Sequence, residues 1–182
     1  SLFLATSLPW KEAAAKCRSI LPYISGGVFA GGAHVVFRPG NDQAGKDRTA
    51  KDHSGDDRHE IFHTFDAPWL PQFSALQSDS RYRFRLRLFE HEGRPYKLTL
   101  TRPQKRGWRQ EEVKAVTGLL APGAFRCFTE CGNLQIVSRE ADKGSGVREL
   151  CAFLGIDPRE TAAVGDSEED IAMFRTCGLE LL

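Results

Sequence analysis

The chain has 182 residues, 25 Lys and Arg against 24 Asp and Glu, and a formal net charge of +1, with 41% hydrophobic residues. Charges this evenly matched give no global pull toward nucleic acid or anionic lipid, so neither partner is expected. No apolar run approaches the roughly 20 residues of a membrane span. The hydrophobic share is enough for a buried core, and the length suits one domain or a core with a smaller insert. Ser1-Leu2-Phe3-Leu4-Ala5 is apolar but lacks a basic segment and is too short for a signal peptide. Five cysteines, at 17, 127, 131, 151 and 177, sit mostly in apolar patterns and read as reduced thiols of a cytoplasmic protein. Cys127 and Cys131 have no second pair or nearby histidine to complete a zinc site.

Leu2 to Ala5 is continuously apolar, as in a buried strand of a parallel sheet, and stops at Thr6-Ser7. A helix follows with Pro9 in its first turn, an apolar stripe from Trp10 to Leu21, and Pro22 as its end. Tyr23 to Phe37 reads as short strands joined by glycine turns. Residues 38–60 hold no large apolar residue and mix both charges with Gly and Pro, the composition of a solvated loop. His53, His59 and His63 lie in and just after it with Asp52, Asp56 and Asp57, in a spacing that builds no compact metal site.

Ala67 to Leu76 suggests a helix opened by Pro68 and interrupted by Pro71. Arg81 to Phe89 alternates, with Tyr82, Phe84, Leu86 and Leu88 on one face and Arg81, Arg83, Arg85 and Arg87 on the other. That separation favours a strand with one wet face over an aromatic platform for nucleic acid. A turn at Gly93 and Pro95 leads to a partner strand over Tyr96, Leu98 and Leu100. Val113 to Leu120 marks a helix closed by Pro122-Gly123, and residues 125–128 and 134–137 a hairpin around Gly132-Asn133. The strand–strand–helix–strand–strand middle differs from the alternating ends, so it reads as an insert. The expected division is a core over 1–60 and 139–182 with an α+β cap over 61–138.

Lys143-Gly144-Ser145-Gly146 opens a helix striped by Val147, Leu150, Cys151 and Leu154, with Gly155 as C-cap. Then a short apolar run, Ala162-Ala163-Val164, feeds Gly165-Asp166 and a helix start containing Asp170. Ser167-x-x-Asp170 is a capping box, but Asp166 at a strand end after glycine is not explained by capping. Two carboxylates four residues apart around a helix start can face one hard cation, and Lys143 can neutralise an anion held at its helix N-terminus. Thr6 and Ser7, at the end of the first strand, suit either phosphoryl contacts or a helix N-cap.

Together these segments resemble the haloacid dehalogenase-like superfamily, in its sugar-phosphatase branch with an inserted α/β cap. Leu4-Ala5-Thr6-Ser7-Leu8-Pro9 resembles the family's second motif, Lys143-Gly-Ser-Gly the third, and Gly165-Asp166-Ser167-Glu168-Glu169-Asp170 with Met173 the fourth. The resemblance implies an α/β, Rossmann-like core with a parallel sheet. It also implies a Mg²⁺-dependent phosphatase acting on a sugar phosphate or similar small phosphorylated metabolite through an aspartyl phosphate. By match, Thr6 and Ser7 would contact phosphoryl oxygens, Lys143 would neutralise them, Asp166 would ligate the metal, and Asp170 would complete the site. The family's D-x-D-x-T nucleophile motif would lie ahead of residue 1, and a further strand and helix would follow the fourth motif. Ser7, Leu8 and Glu169 depart from the usual motif residues. An alternative is a non-catalytic binding module on the same fold. Oligomeric state is not legible.

Overall fold

A computed structural model describes residues 1–37, 58–79, 82–103 and 107–181. Most of the polar 38–60 segment, with His53 and its aspartates, and Arg81 lie outside the described residues. The chain forms two compact units, residues 1–62 with 142–182, and residues 63–141.

The first unit starts with β1 (Phe3–Ala5), whose parallel partner is β2 (Gly26–Phe29), with Leu4 opposite Gly27. β3 (His34–Phe37) turns back antiparallel on β2, and β4 (His59–Phe62) pairs antiparallel with β3. The sheet is therefore mixed rather than purely parallel, in the order β1-β2-β3-β4. β4 also corrects the loop expected to reach residue 60. Its signal is polar: Glu60 pairs with His34 at 3.3 Å, and His59 stacks on Phe37 with ring centroids 5.3 Å apart. A second sheet joins β9 (Ala162–Val164) to β10 (Leu179–Leu181) in parallel. Helix α1 (Trp10–Lys16) is shorter than its apolar stripe, and Leu21–Tyr23 form a separate 3-10 turn. Trp10 meets Phe29 edge-on, and Phe29 joins Ala13 and Val36 in one buried cluster.

Helix α4 (Lys143–Leu154) is held at both ends as its sequence demands. Asp142 accepts from the Ser145 amide at 2.7 Å, and the Ser145 hydroxyl accepts from the Asp142 amide at 2.9 Å. Gly155 takes φ 67°, the left-handed conformation a C-terminal glycine adopts without steric cost. Gly146 lies against Val28, with no room for a Cβ. Helix α5 (Ile171–Phe174) follows a 3-10 turn over Glu168–Asp170, and its Met173 and Phe174 bury with Ala163 of β9.

The second unit is a four-stranded antiparallel sheet, ordered β5-β6-β8-β7, of β5 (Arg85–His91), β6 (Arg94–Thr101), β7 (Phe125–Glu130) and β8 (Asn133–Ser138). Leu98, Leu100, Leu134 and Ile136 share one buried cluster with Trp69, Phe73 and Val116. Phe73 comes from α2 (Leu70–Ser78) and Val116 from α3 (Gln110–Thr117). Pro71 does not interrupt α2 but sits in its first turn, where its missing N–H has no helical partner to lose. Both hairpins turn on two left-handed residues, Glu92-Gly93 (φ 49° and 75°) and Cys131-Gly132 (φ 48° and 77°). Such loops match the right-handed strand twist. The second turn is one residue earlier than the glycine–asparagine signal suggests, so Asn133 begins β8. Arg85 and Arg87 are exposed, while Leu86 and Leu88 pack toward the cluster.

Candidate active site

The site is built where β9 ends. Gly165 follows the strand because a Cβ there would lie 2.6 Å from the Asp170 carboxyl carbon. The chain then turns through Asp166 and Ser167 into the 3-10 turn that ends at Asp170. One oxygen of Asp170, Oδ2, accepts three bonds: from the Asp166 amide at 3.2 Å, the Ser167 amide at 3.0 Å and the Ser167 hydroxyl at 2.7 Å. The other, Oδ1, accepts from Lys143 Nζ at 2.6 Å. Both side chains of this ion pair are nearly sealed from water, at 6% and 7% exposure. Burial alone would raise the Asp170 carboxyl pKa. The Lys143 and Ser167 hydrogen bonds outweigh it and hold the carboxyl below its usual range.

Lys143 reaches Asp170 from the first turn of α4. Gly144 lets that turn press against α5: a Cβ there would overlap the Ala172 carbonyl oxygen and lie 2.7 Å from its carbon. Gly32, at φ 99°, lies against the backbone of Asp142, the residue before Lys143.

Thr6 and Ser7 form the loop after β1. The Thr6 amide donates to Val28 O at 2.9 Å, and its carbonyl accepts from the Gly31 amide at 3.2 Å. Its hydroxyl oxygen accepts from the Leu8 amide at 3.2 Å. Ser7 is buried. Neither caps α1, whose N-cap is Pro9 with no side-chain cap bond. Ala5, just before Thr6, packs on the Ala163–Met173–Phe174 cluster, so the loops after β1 and β9 leave from shared packing.

Lys143, Asp170 and the Asp166–Ser167 backbone are thus brought together. The Asp166 side chain is not part of that network: its amide meets Asp170, and its carboxylate stays exposed. The two aspartates differ as magnesium ligands. Asp170, with four donors already on its two oxygens, does not fit the metal-ligand role expected for it. The exposed Asp166 carboxylate is a hard oxygen donor of the type Mg²⁺ takes. Among the described residues no group of three or more His, Cys, Asp or Glu is placed to hold a metal ion. Sequence reasoning counted Ser167 only as a cap, yet its hydroxyl and amide fix the carboxylate that holds Lys143. The serine three residues before Asp170 was the available signal.

Comparison with known proteins gives the same frame. Residues 95–181 match the model of the haloacid dehalogenase-like hydrolases. Two solved structures align over 98% of the chain: a haloacid dehalogenase-like hydrolase from B. subtilis (15% identity, 75% of that chain, TM-score 0.65) and an HAD subclass IIB sugar phosphatase (14%, 72% of that chain, TM-score 0.68). The chain shares the fold of these two structures, and residues 95–181 are similar to the haloacid dehalogenase-like hydrolases. A phosphoglycolate phosphatase of Methanopyrus kandleri is 40% identical over 70 residues, which are 38% of this chain and 30% of that protein. The chain spans less than a third of the length of the curated relatives it matches.

Proposed function

We propose that the protein is a Mg²⁺-dependent phosphatase acting on a small phosphorylated metabolite, a sugar phosphate or a compound of similar size. The observation that carries this reading is the sealed Lys143–Asp170 pair at 2.6 Å beside the exposed Asp166 carboxylate at the end of a parallel strand. Open α/β sheets bind ligands at such strand ends. The sugar-phosphatase and phosphoglycolate-phosphatase names of its relatives support the substrate class.

Each residue has a part. Lys143 gives one of its three N–H donors to Asp170, which leaves two for phosphoryl oxygens. Its charge, with the α4 N-terminus beneath it, favours a dianion there. Asp170 holds the ammonium in place and remains ionised. The Thr6 hydroxyl oxygen is occupied by the Leu8 amide, so its proton is left to donate to a phosphoryl oxygen. Ser7, buried beside it, lines the same loop. Asp166 is the metal-binding carboxylate, and Mg²⁺ bound there would offset the negative charge of the ester oxygens. An aspartyl-phosphate route would also need a nucleophilic aspartate, a part that none of these residues is given.

The test is phosphate release from a panel of sugar phosphates and 2-phosphoglycolate, with and without Mg²⁺. The full-length protein should turn over at least one in a metal-dependent way, and Asp166→Ala should abolish that dependence. No release from any of them, or release indifferent to both metal and Asp166, overturns the reading.

A further inference from the structure

Lys143 owes its place to a neighbour with no side chain. Asp170 ends the turn that leads into α5, and Lys143 begins α4, so their 2.6 Å separation is set by how closely the two helices cross. At that crossing Gly144 leaves no space for a methyl group. A Cβ would overlap the Ala172 carbonyl oxygen and lie 2.8 Å from Thr176 Oγ1. The obstruction on the α5 side is backbone, which cannot rotate away as a side chain tip can. Thr176 is itself fixed, donating to Ala172 O at 2.9 Å and accepting from Arg148 at 3.0 Å. Any side chain at 144 must therefore separate α4 from α5, and a shift of about 1 Å takes a 2.6 Å contact beyond hydrogen-bond range.

We infer that Gly144 is a positioning residue: its bare backbone seats the Lys143 ammonium on Asp170, and this rests on the proposed phosphatase reading only for its effect on turnover. Gly146 supplies the control. It is equally crowded, but by the Val28 side chain on β2, away from α5.

The experiment is acetylation of the folded full-length protein with acetic anhydride, reading Lys143 by mass spectrometry. It is run beside phosphate-release kinetics on Gly144→Ala, Gly146→Ala and the unsubstituted protein. Lys143 should be protected in the unsubstituted protein and in Gly146→Ala. It should react about tenfold faster or more in Gly144→Ala, the effect of losing one charged hydrogen bond. Turnover, where present, should fall in kcat more than it rises in KM. If Gly144→Ala does not fold, Thr176→Leu widens the same crossing from the α5 side and should release Lys143 too. A folded Gly144→Ala, or a folded Thr176→Leu in its place, with Lys143 still protected overturns the inference. Equal release in Gly146→Ala overturns it as well. Exposure of Lys143 in Gly144→Ala without phosphate release from any form upholds the positioning role and counts against the phosphatase alone.

Discussion

Removing Asp170 should destabilise the first unit more than removing its partner Lys143. Asp170→Ala leaves an ammonium that is 6% exposed with no counter-charge. Breaking a buried pair from one side costs about 3–5 kcal/mol. The three donors it also abandons belong to Asp166 and Ser167, which are exposed and regain water, so they add about 1 kcal/mol at most. Lys143→Met instead leaves a carboxylate that keeps all three of those bonds. Its cost should be about 1.5–3 kcal/mol, that of one charged hydrogen bond. In the double variant no buried charge is left unpaired, so its loss should fall short of the sum by more than 0.5 kcal/mol, roughly the scatter of independent sites. Hydrogen exchange of peptides covering α4 and α5, with urea unfolding, measures all three. Additive losses, or a Lys143→Met loss equal to that of Asp170→Ala, would refute the argument. The pH dependence has a definite sign. A carboxyl whose folded pKa is depressed contributes fully above its ordinary value of about 4 and loses that contribution as pH falls through the folded value. Asp170→Asn should remove that part of the acid limb.

The second unit offers two independent checks. Glu112 of α3 is 2% exposed and accepts from Arg102 at 2.7 Å, the Arg109 amide at 2.9 Å and the Arg109 guanidinium at 3.1 Å. Burial would raise its carboxyl pKa, but the Arg109 and Arg102 interactions win and lower it. Glu112→Gln should therefore cost about 2 kcal/mol at neutral pH, a deficit that closes as the pH drops below about 4; urea unfolding at a series of pH values reads it, and a deficit unchanged by acid contradicts it. In the β7–β8 hairpin, burial pushes the Cys127 thiol up to about 11 while Cys131 lies exposed at the turn. At pH 8 about one Cys127 in a thousand is thiolate, so iodoacetamide should alkylate Cys131 well before it; comparable rates at the two sites count against the burial argument.

Much of the fold could be read from side-chain period. Leu86 and Leu88 alternate with Arg85 and Arg87 because one face of β5 packs inward and the other meets water. The helix from Lys143 to Leu154 announces its C-cap, Gly155, whereas its N-cap, Asp142, emerges only from the structure. What escaped was structure held by something other than apolar alternation. β4 carries His59, Glu60, Ile61 and Phe62 with little burial, and its contacts with β3 include a histidine–carboxylate approach and two ring stacks, His59 on Phe37 and Phe62 on His34, that no hydrophobic pattern encodes. β10 is three exposed residues made into a strand by pairing with β9. α1 stops at Lys16 although its stripe continues, and Ala13 is its one fully buried residue.

At the site, sequence spacing located the groups but could not divide their labour. A four-residue separation around a helix start brings residues 166 and 170 within reach of one centre, whichever atoms do the reaching. Here residue 166 sends its amide inward and leaves its carboxylate outside. A capping box and an ion pair also look like competing uses of Asp170 until its two oxygens are counted separately. Oδ2 closes the turn through Ser167 and the Asp166 amide, and Oδ1 holds Lys143. The cap is what makes the ion pair rigid, since a carboxylate fixed on one oxygen has only one direction left for the other. On this reasoning Ser167→Ala, which touches neither Lys143 nor phosphate, should loosen Lys143 by the same acetylation measure as Gly144→Ala, though less. Unchanged protection in that variant would mean that the ammonium, not the turn, sets where the carboxylate lies.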